Sequence, residues 1–503
     1  MSSRPFSLLR VGLLLFSVAL TADAADEAFD FESLRGRAKT LAGRAYVPRP
    51  TVIPEVLSKL TYDEYRLITF NPERTWWGAE KLPFRLQFYH PGFVHRQPVM
   101  ISELNGRQVR PIPFSRSFFD YTRHPISGSI PENVGFAGFR VLGQLNFSAD
   151  ELVSFLGASY FRALCLKAVY GLSSRGLAIN TAEQGPEEFP AFEEFWIQRP
   201  EPAAKEFTIY ALLNGPSVAG AYRFTVTPGA ETLVQVKAAV YCRQNPKTFG
   251  IAPLTSMYWH GENSDDHQND IRPEVHDSDG LMLRTGKNEW IWRPLVNPRT
   301  VSTVAFADEN PRGFGLVQRD RKFASYEDLE GKYHLRPSAW VEPIGNWGAG
   351  AVRLVEIPTS TETDDNIVAF WVPAKLPTPG EPIDFEYKMH WYLDQIAPPN
   401  GFVAATRTGY SRTHEPELRR FVIDFDGEEL RRYKPDPALE LVVTVGNGAK
   451  LVNTTILKNE FNATWRAAFA IKPDGSGRAV ELRCYLKKDR DVVTETWSYL
   501  WNP

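Results

Sequence analysis

FEYKMHWYL, Phe385 to Leu393, runs directly into DQIAPPNG, Asp394 to Gly401, and this stretch decides how the chain is read. The first part reads as a β-strand: short, aromatic and bounded by turn formers. Pro398, Pro399, Asn400 and Gly401 cannot continue a ladder, so 394–400 reads as a linker between two units. Toward the C-terminus, 401–503 carries strand-like runs at Arg420–Phe425, Leu439–Val445, Thr454–Leu457, Trp465–Ile471, Ala479–Leu486 and Thr494–Leu500. That density of strands in about 100 residues suggests an immunoglobulin-like sandwich. Toward the N-terminus lie Leu82–Phe88, Phe207–Leu213, Ala221–Val226, Thr232–Val240, Val352–Ile357 and Ile367–Trp371, again strand-like. Residues 25–393 are too many for a simple sandwich and imply an enlarged one. Helical signals are few: Asp30–Ala42, a short piece at Asp63–Ile68, and a turn at Asp150–Phe155 with Ser148 as cap. The expected fold class is all-β.

Composition narrows the class without naming a function. The chain of 503 residues is 43% hydrophobic and 23% charged, which excludes disordered, collagen-like and coiled-coil proteins. Its 57 Lys and Arg against 60 Asp and Glu give a formal charge of -3, with no block of five or six like charges. Neither a nucleic-acid partner nor a polybasic membrane surface is expected. Residues 1–24 read as a cleaved export signal: Arg4 and Arg10, the apolar Val11–Ala22, then the small-x-small site Ala22, Asp23, Ala24. About 12 apolar residues are too few to span a bilayer, so no stable membrane insertion is expected. Cys165, Cys242 and Cys484 are scattered and odd in number, which fits neither a disulfide scaffold nor a thiolate zinc site.

Most catalytic signatures are absent, including the phosphate loop, His-Glu-x-x-His and the Gly-x-Ser-x-Gly elbow. His260, His267 and His276 lie near several carboxylates, but their spacing matches no metal motif, and neither metal nor cofactor is expected. Polar density peaks between Met257 and Pro294, where Tyr258, Trp259, Trp290 and Trp292 bracket a loop rich in Asp, Glu, Asn and His. Aromatic faces cover the apolar sides of pyranose rings while carboxylates and amides bond the hydroxyls, so the segment is furnished like a carbohydrate cleft. A solvated acidic loop between two core strands is the competing reading. A second loop, Thr361 to Asn366, carries the adjacent pair Asp364 and Asp365, whose side chains must point differently. Glycoside hydrolysis needs one carboxyl to protonate the leaving oxygen and another to activate water.

Several stretches together resemble the osmoregulated periplasmic glucan biosynthesis proteins, types G and D, over essentially the full mature length. They include FLGASYFR from Phe155, YGLSSRGLA from Tyr170, PLTSM from Pro253, RPEVHDSDG from Arg272, EWIWRP from Glu289, RPSAW from Arg336, Asp365-Asn366 and ETWSY from Glu495. The resemblance implies a large mutarotase-like β-sandwich with a long cleft, then an immunoglobulin-like domain. It implies a periplasmic protein that binds β-1,2-glucan and cleaves it internally with inversion; transglycosylation and a non-catalytic scaffold are the alternatives. It puts the general acid on Asp365 and the general base on Asp277, with Tyr333 near the reacting sugar. Arg272, Glu274, His276, Asp279, Tyr160 and Arg162 join Trp259, Trp290 and Trp292 as candidate substrate-binding residues. A homodimer and contact with a membrane glucan synthase are further implications. Asp279 resembles type D, whereas the short segment Gly409–Arg419 resembles type G.

Overall fold

The computed structural model describes residues 29–50, 53–123, 130–267, 269–376, 378–394, 396, 398–410, 417–435 and 439–503. The export signal expected at 1–24 lies outside them, as does most of the Gly409–Arg419 segment that bears on subtype. Among the described residues no helix is long and apolar enough to cross a membrane.

Two large sheets dominate, and the fold is an all-β sandwich. A ten-stranded sheet runs from Arg85–Tyr89 through Gly138–Gly143, Asp150–Leu156, Tyr160–Ala163, Ser173–Arg175 and Phe249–Ser256 to Ile367–Pro373, Ala349–Glu356 and Ser302–Glu309. A fifteen-stranded sheet faces it, with Pro382–Tyr392 between Ser338–Ile344 and Thr232–Cys242. The alternation expected of strands sends every second side chain inward. Phe155 and Phe161 of the smaller sheet meet Phe224 of the larger with centroids 5.1 and 5.2 Å apart. Such edge-on aromatic pairs add to the burial of apolar area that holds the sheets together.

The helix Phe31–Ala42 starts where Asp30 caps Ser33 N–H and lays Leu34 and Ala38 on the back of the large sheet, against Trp196, Leu212 and Ala239. The helical turn expected at Asp150–Phe155 is instead the strand Asp150–Leu156, paired on both sides. There the apolar Leu152, Val153 and Phe155 are buried, and the Asp150 carboxylate serves the turn before it by accepting from Phe147 N–H rather than starting a helix.

C-terminal to the Pro-Pro segment, Phe402–Tyr410, Arg419–Asp426, Trp465–Pro473 and Ala449–Lys458 form a four-stranded sheet. The strands Glu440–Val445, Val480–Lys488 and Thr496–Trp501 do not close a separate second sheet. They extend the fifteen-stranded one, because Thr496–Trp501 pairs in parallel with Trp290–Pro294, Trp292 opposite Trp497. A second apolar core, with Trp292, Trp340, Phe421, Phe469 and Trp497, fills the space between these strands and the four-stranded sheet.

Candidate active site

Segments distant in sequence converge outside the ten-stranded sheet. The loop Ile357–Asn366 is fixed first by an amide. Asn366, buried, accepts from Tyr258 N–H (2.8 Å) and donates to the carbonyls of Tyr258 (3.0 Å) and Ile357 (2.9 Å), so it acts as a strand partner for the Tyr258–His260 segment. Asn297 ties the other end, donating to the carbonyls of Trp259 (3.1 Å) and Thr359 (2.8 Å). Between these anchors the two adjacent aspartates part: Asp364 accepts from the Thr359 hydroxyl at 3.1 Å, while Asp365 faces the convergence.

Asp365 is open to solvent at its own atoms yet ringed by protein, the situation of a group within a cleft. Lost solvation is the main reason its carboxyl pKa is raised. Arg162 opposes the rise, Asp277 adds to it, and Arg175 and Arg336 oppose it more weakly. Asp277, by contrast, is buried and ion-paired with Arg336 Nη1, and its N–H donates to Met257 O at 2.9 Å. The two carboxyls therefore share one field but occupy opposite environments. Above this pair the Arg336 guanidinium lies 3.9 Å from the Tyr333 ring centroid. The Tyr333 hydroxyl donates to Glu362 at 2.6 Å, and Arg272 Nη1 donates to Glu362 and Asp328, both at 2.7 Å. Arg272 also makes a two-pronged contact with Asp270 (2.9 and 2.8 Å), which holds that carboxyl at about 2. Trp259, half-buried, packs against the cluster of Met257, Val275, Tyr326 and Tyr333, with the Arg272 guanidinium 6.0 Å from its ring. Tyr160, 5.4 Å from the Arg175 guanidinium, feels the charge of Asp365.

Thus Asp365, Asp277, Tyr333, Arg272, Trp259, Tyr160 and Arg162 are brought together. Glu274, His276 and Asp279 turn the other way, toward the C-terminal strands. His276 bonds Glu274 through Nε2 (2.8 Å) and Gln318 Oε1 through Nδ1 (2.9 Å), and its Nε2 lies 3.5 Å from Asp279. Burial disfavours its charge, but Asp279 and Glu274 outweigh burial and lift its pKa to about 9. Both ring nitrogens are then donors at neutral pH, matching the acceptors placed around them. These three residues offer ligand atoms within 4.8 Å of one another. Asp279 also accepts the N–H groups of Arg319 and Asp320 (2.8 Å for the latter), which shapes the turn after Gly313–Val317. The space these groups enclose with Trp292 and Ala404 is about 30 Å³, the size of a water and not of a sugar ring.

Trp290 and Trp292 share a face, as strand alternation requires, and that face belongs to the second core. Trp290 stacks on Trp340 at 5.7 Å, and Trp292 is buried beneath the Arg319 guanidinium at 3.6 Å. Gly280 is needed there, since a Cβ would come within 2.4 Å of the Trp292 ring. Sequence reasoning passed over Glu362, Arg336, Asp328 and Arg175. Glu362 lies in the loop already quoted and Arg336 three residues after Tyr333, but their partners come only through the fold.

The family described as "Periplasmic glucan biosynthesis protein, MdoG" matches residues 29–501 of this chain. A Glucans biosynthesis protein G from Ralstonia nicotianae is 45% identical, over 98% of this chain and 99% of that protein. Proteins with the same name from Pseudomonas paraeruginosa and Pseudomonas aeruginosa are each 43% identical over 97% of this chain and 96% of theirs. With matches of that length and identity, the chain belongs to the periplasmic glucan biosynthesis (MdoG) family.

Proposed function

We propose that this protein acts in the periplasm on the backbone of β-1,2-linked glucans, cleaving it internally with inversion as part of glucan biosynthesis. One observation carries the reading: of two carboxyls within each other's field, Asp365 is desolvated and raised in pKa, while Asp277 is buried in an ion pair with Arg336. Asp365, desolvated and free of a direct ion pair among the described residues, suits proton donation to the leaving oxygen. Asp277, ion-paired with Arg336, suits removal of a proton from water. Because Arg336 and burial cover Asp277, the proton reaches it through an intervening water or sugar hydroxyl. Trp259 and Tyr160 supply ring faces, and Arg272, Arg162 and Glu362 supply hydrogen-bonding groups, for the sugars on either side.

The test is incubation with linear β-1,2-glucan, followed by product masses and the anomeric configuration of newly formed ends. Shorter linear chains with inverted ends are expected. Cyclic or enlarged products would favour transglycosylation, and binding without turnover would replace the hydrolase reading with a scaffold.

A further inference from the structure

We propose that His260 and His267, with Asp270 beside them, bind one divalent transition-metal ion of the zinc type. The site lies outside the acidic pair, and the inference does not depend on the glucan reading.

Two turns bring the histidines together. His260 ends the strand Tyr258–His260, and the chain then folds back through Gly261–Ser264. That turn is closed by Ser264 N–H to Gly261 O (2.9 Å) and Gly261 N–H to Ser264 Oγ (3.0 Å). A second turn, Asp270 N–H to Gly-like reach on His267 O at 2.8 Å, keeps His267 and Asp270 close. The two imidazole rings end with centroids 5.2 Å apart and planes at 73°. Imidazoles that share one tetrahedral ion at about 2.0–2.1 Å from each nitrogen stand with ring centres roughly 5 Å apart, so the observed spacing suits an ion between them. The intervening loop is irregular, which is why sequence spacing alone matched no metal motif.

His260 itself points to a ligand. It is fully buried, yet neither ring nitrogen makes a well-aligned hydrogen bond among the described residues. Buried polar groups are normally satisfied, so this one calls for a partner. The Pro273 carbonyl is close enough to act on the ring. A metal-ligating histidine commonly turns one N–H toward such a carbonyl and keeps its other nitrogen for the ion. Burial, and after it the neighbouring His267, push the His260 pKa down to about 4, so the ring is neutral near pH 7 and its lone pair is available. Asp270 lies within the field of His260 and supplies negative charge to offset a cation. His267 is exposed and gives the ion a way in. His276 presents the contrast, because its two nitrogens already bond Glu274 and Gln318.

An ion held there braces the loop that joins two parts of the molecule. On one side Glu262, Asn263 and Asp265 meet Thr406, Thr408 and Arg419 of the C-terminal strands. On the other the loop ends at Arg272, which holds Glu362 and Asp328. Binding at His260 and His267 fixes the middle of this connection, so the ion's role is structural.

The experiment is calorimetric titration of Zn²⁺ alone into the full chain, purified without a histidine tag and stripped of metal, with melting temperatures measured alongside. One ion per chain should bind and raise the melting temperature as free Zn²⁺ increases. Mg²⁺, which favours oxygen ligands, should not compete. His267→Ala, at an exposed position that leaves the core intact, should weaken Zn²⁺ binding by more than about 100-fold, beyond the 10–100-fold cost of losing an outer-shell partner. Asp270→Asn should fall within that smaller range, and Glu274→Gln should leave binding unchanged. One-to-one binding that survives His267→Ala in a folded chain would overturn the site. Loss of binding in Glu274→Gln with retention in His267→Ala would overturn it too, moving the ion to Glu274, His276 and Asp279. A parent chain that takes up no stoichiometric Zn²⁺ would overturn it outright.

Discussion

At the scale of single residues, the pair Asp364 and Asp365 separates structure from chemistry. Asp364 only braces Thr359, whereas Asp365 sits desolvated beside Asp277, Arg162 and Arg175. Asp365→Asn preserves shape but cannot donate a proton, so turnover should fall by about 10²–10⁴-fold while Asp364→Asn stays near the parent. A reversed order in steady-state assays would move the acid to Asp364. The raised pKa of Asp365 also predicts a pH profile. A general acid works while protonated, so kcat should fall as pH rises through the folded pKa. That alkaline limb should lie above the ordinary carboxylate value of about 3.9. Arg162 holds the pKa down, so Arg162→Met should move the limb to higher pH; a shift the other way would remove Arg162 from the acid's surroundings. Asp279 presents the contrast, since its carboxylate is occupied by the N–H groups of Arg319 and Asp320 and by His276. Asp279→Asn should therefore lower the melting temperature more than it lowers turnover, and Asp277→Asn the reverse.

Single elements show how much of this could be read beforehand. Strands such as Phe207–Asn214, Thr232–Cys242 and Pro382–Tyr392 were legible because a half-buried pleat writes its period into the chain itself. Asp150–Leu156 was misread because a serine and an aspartate before an apolar run resemble a helix start, and only pairing with Gly138–Gly143 and Tyr160–Ala163 decides otherwise. The strand Trp290–Pro294 is subtler. Its alternation put both tryptophans on one face, but the strand that covers that face, Thr496–Trp501, lies some two hundred residues on, and local sequence carries no address for a partner. The site divides the same way. The polar loop before Asp277 was conspicuous in composition, whereas Glu362 and Arg336 gain their roles from contacts with Tyr333 and Asp277 that no spacing encodes. Stability can therefore sort the aromatics. Trp292→Ala should cost about 3–5 kcal/mol, the range for a buried aromatic, while half-buried Trp259→Ala should lose glucan affinity at smaller cost in melting temperature. Equal destabilisation by both would make Trp259 a core residue.

Across the whole molecule, the two units are bound more closely than a linker of Pro and Asn suggests. Arg319 reaches across to Glu495 through both nitrogens (2.5 and 3.0 Å) and to Val403 O (2.8 Å), while Val403 N–H donates to the same carboxylate at 2.7 Å. The shared sheet and the second core add to this junction, so denaturation should be a single calorimetric transition rather than two. The junction also concentrates titratable groups whose shifts act together. Glu262, which accepts from Thr406 N–H and pairs with Arg407 at 3.1 Å, is driven by burial up to about 8. The folded chain thus keeps a proton there that an unfolded chain gives up near pH 4.5, so its effect on stability turns unfavourable as pH climbs toward 8. His276, lifted from 6.5 to about 9, contributes fully below pH 6.5 and loses that contribution as pH rises through 9. Both signs agree, so the melting temperature should fall steadily between pH 6.5 and 9. Glu262→Gln keeps the neutral hydrogen-bonding shape without the ionisation. It should flatten the part of the fall below pH 8 and raise the melting temperature near pH 6.5, the two chains converging only toward pH 4.5. A melting temperature that is flat across this range in the parent, or a slope indifferent to Glu262→Gln, would mean that the junction does not hold these protons.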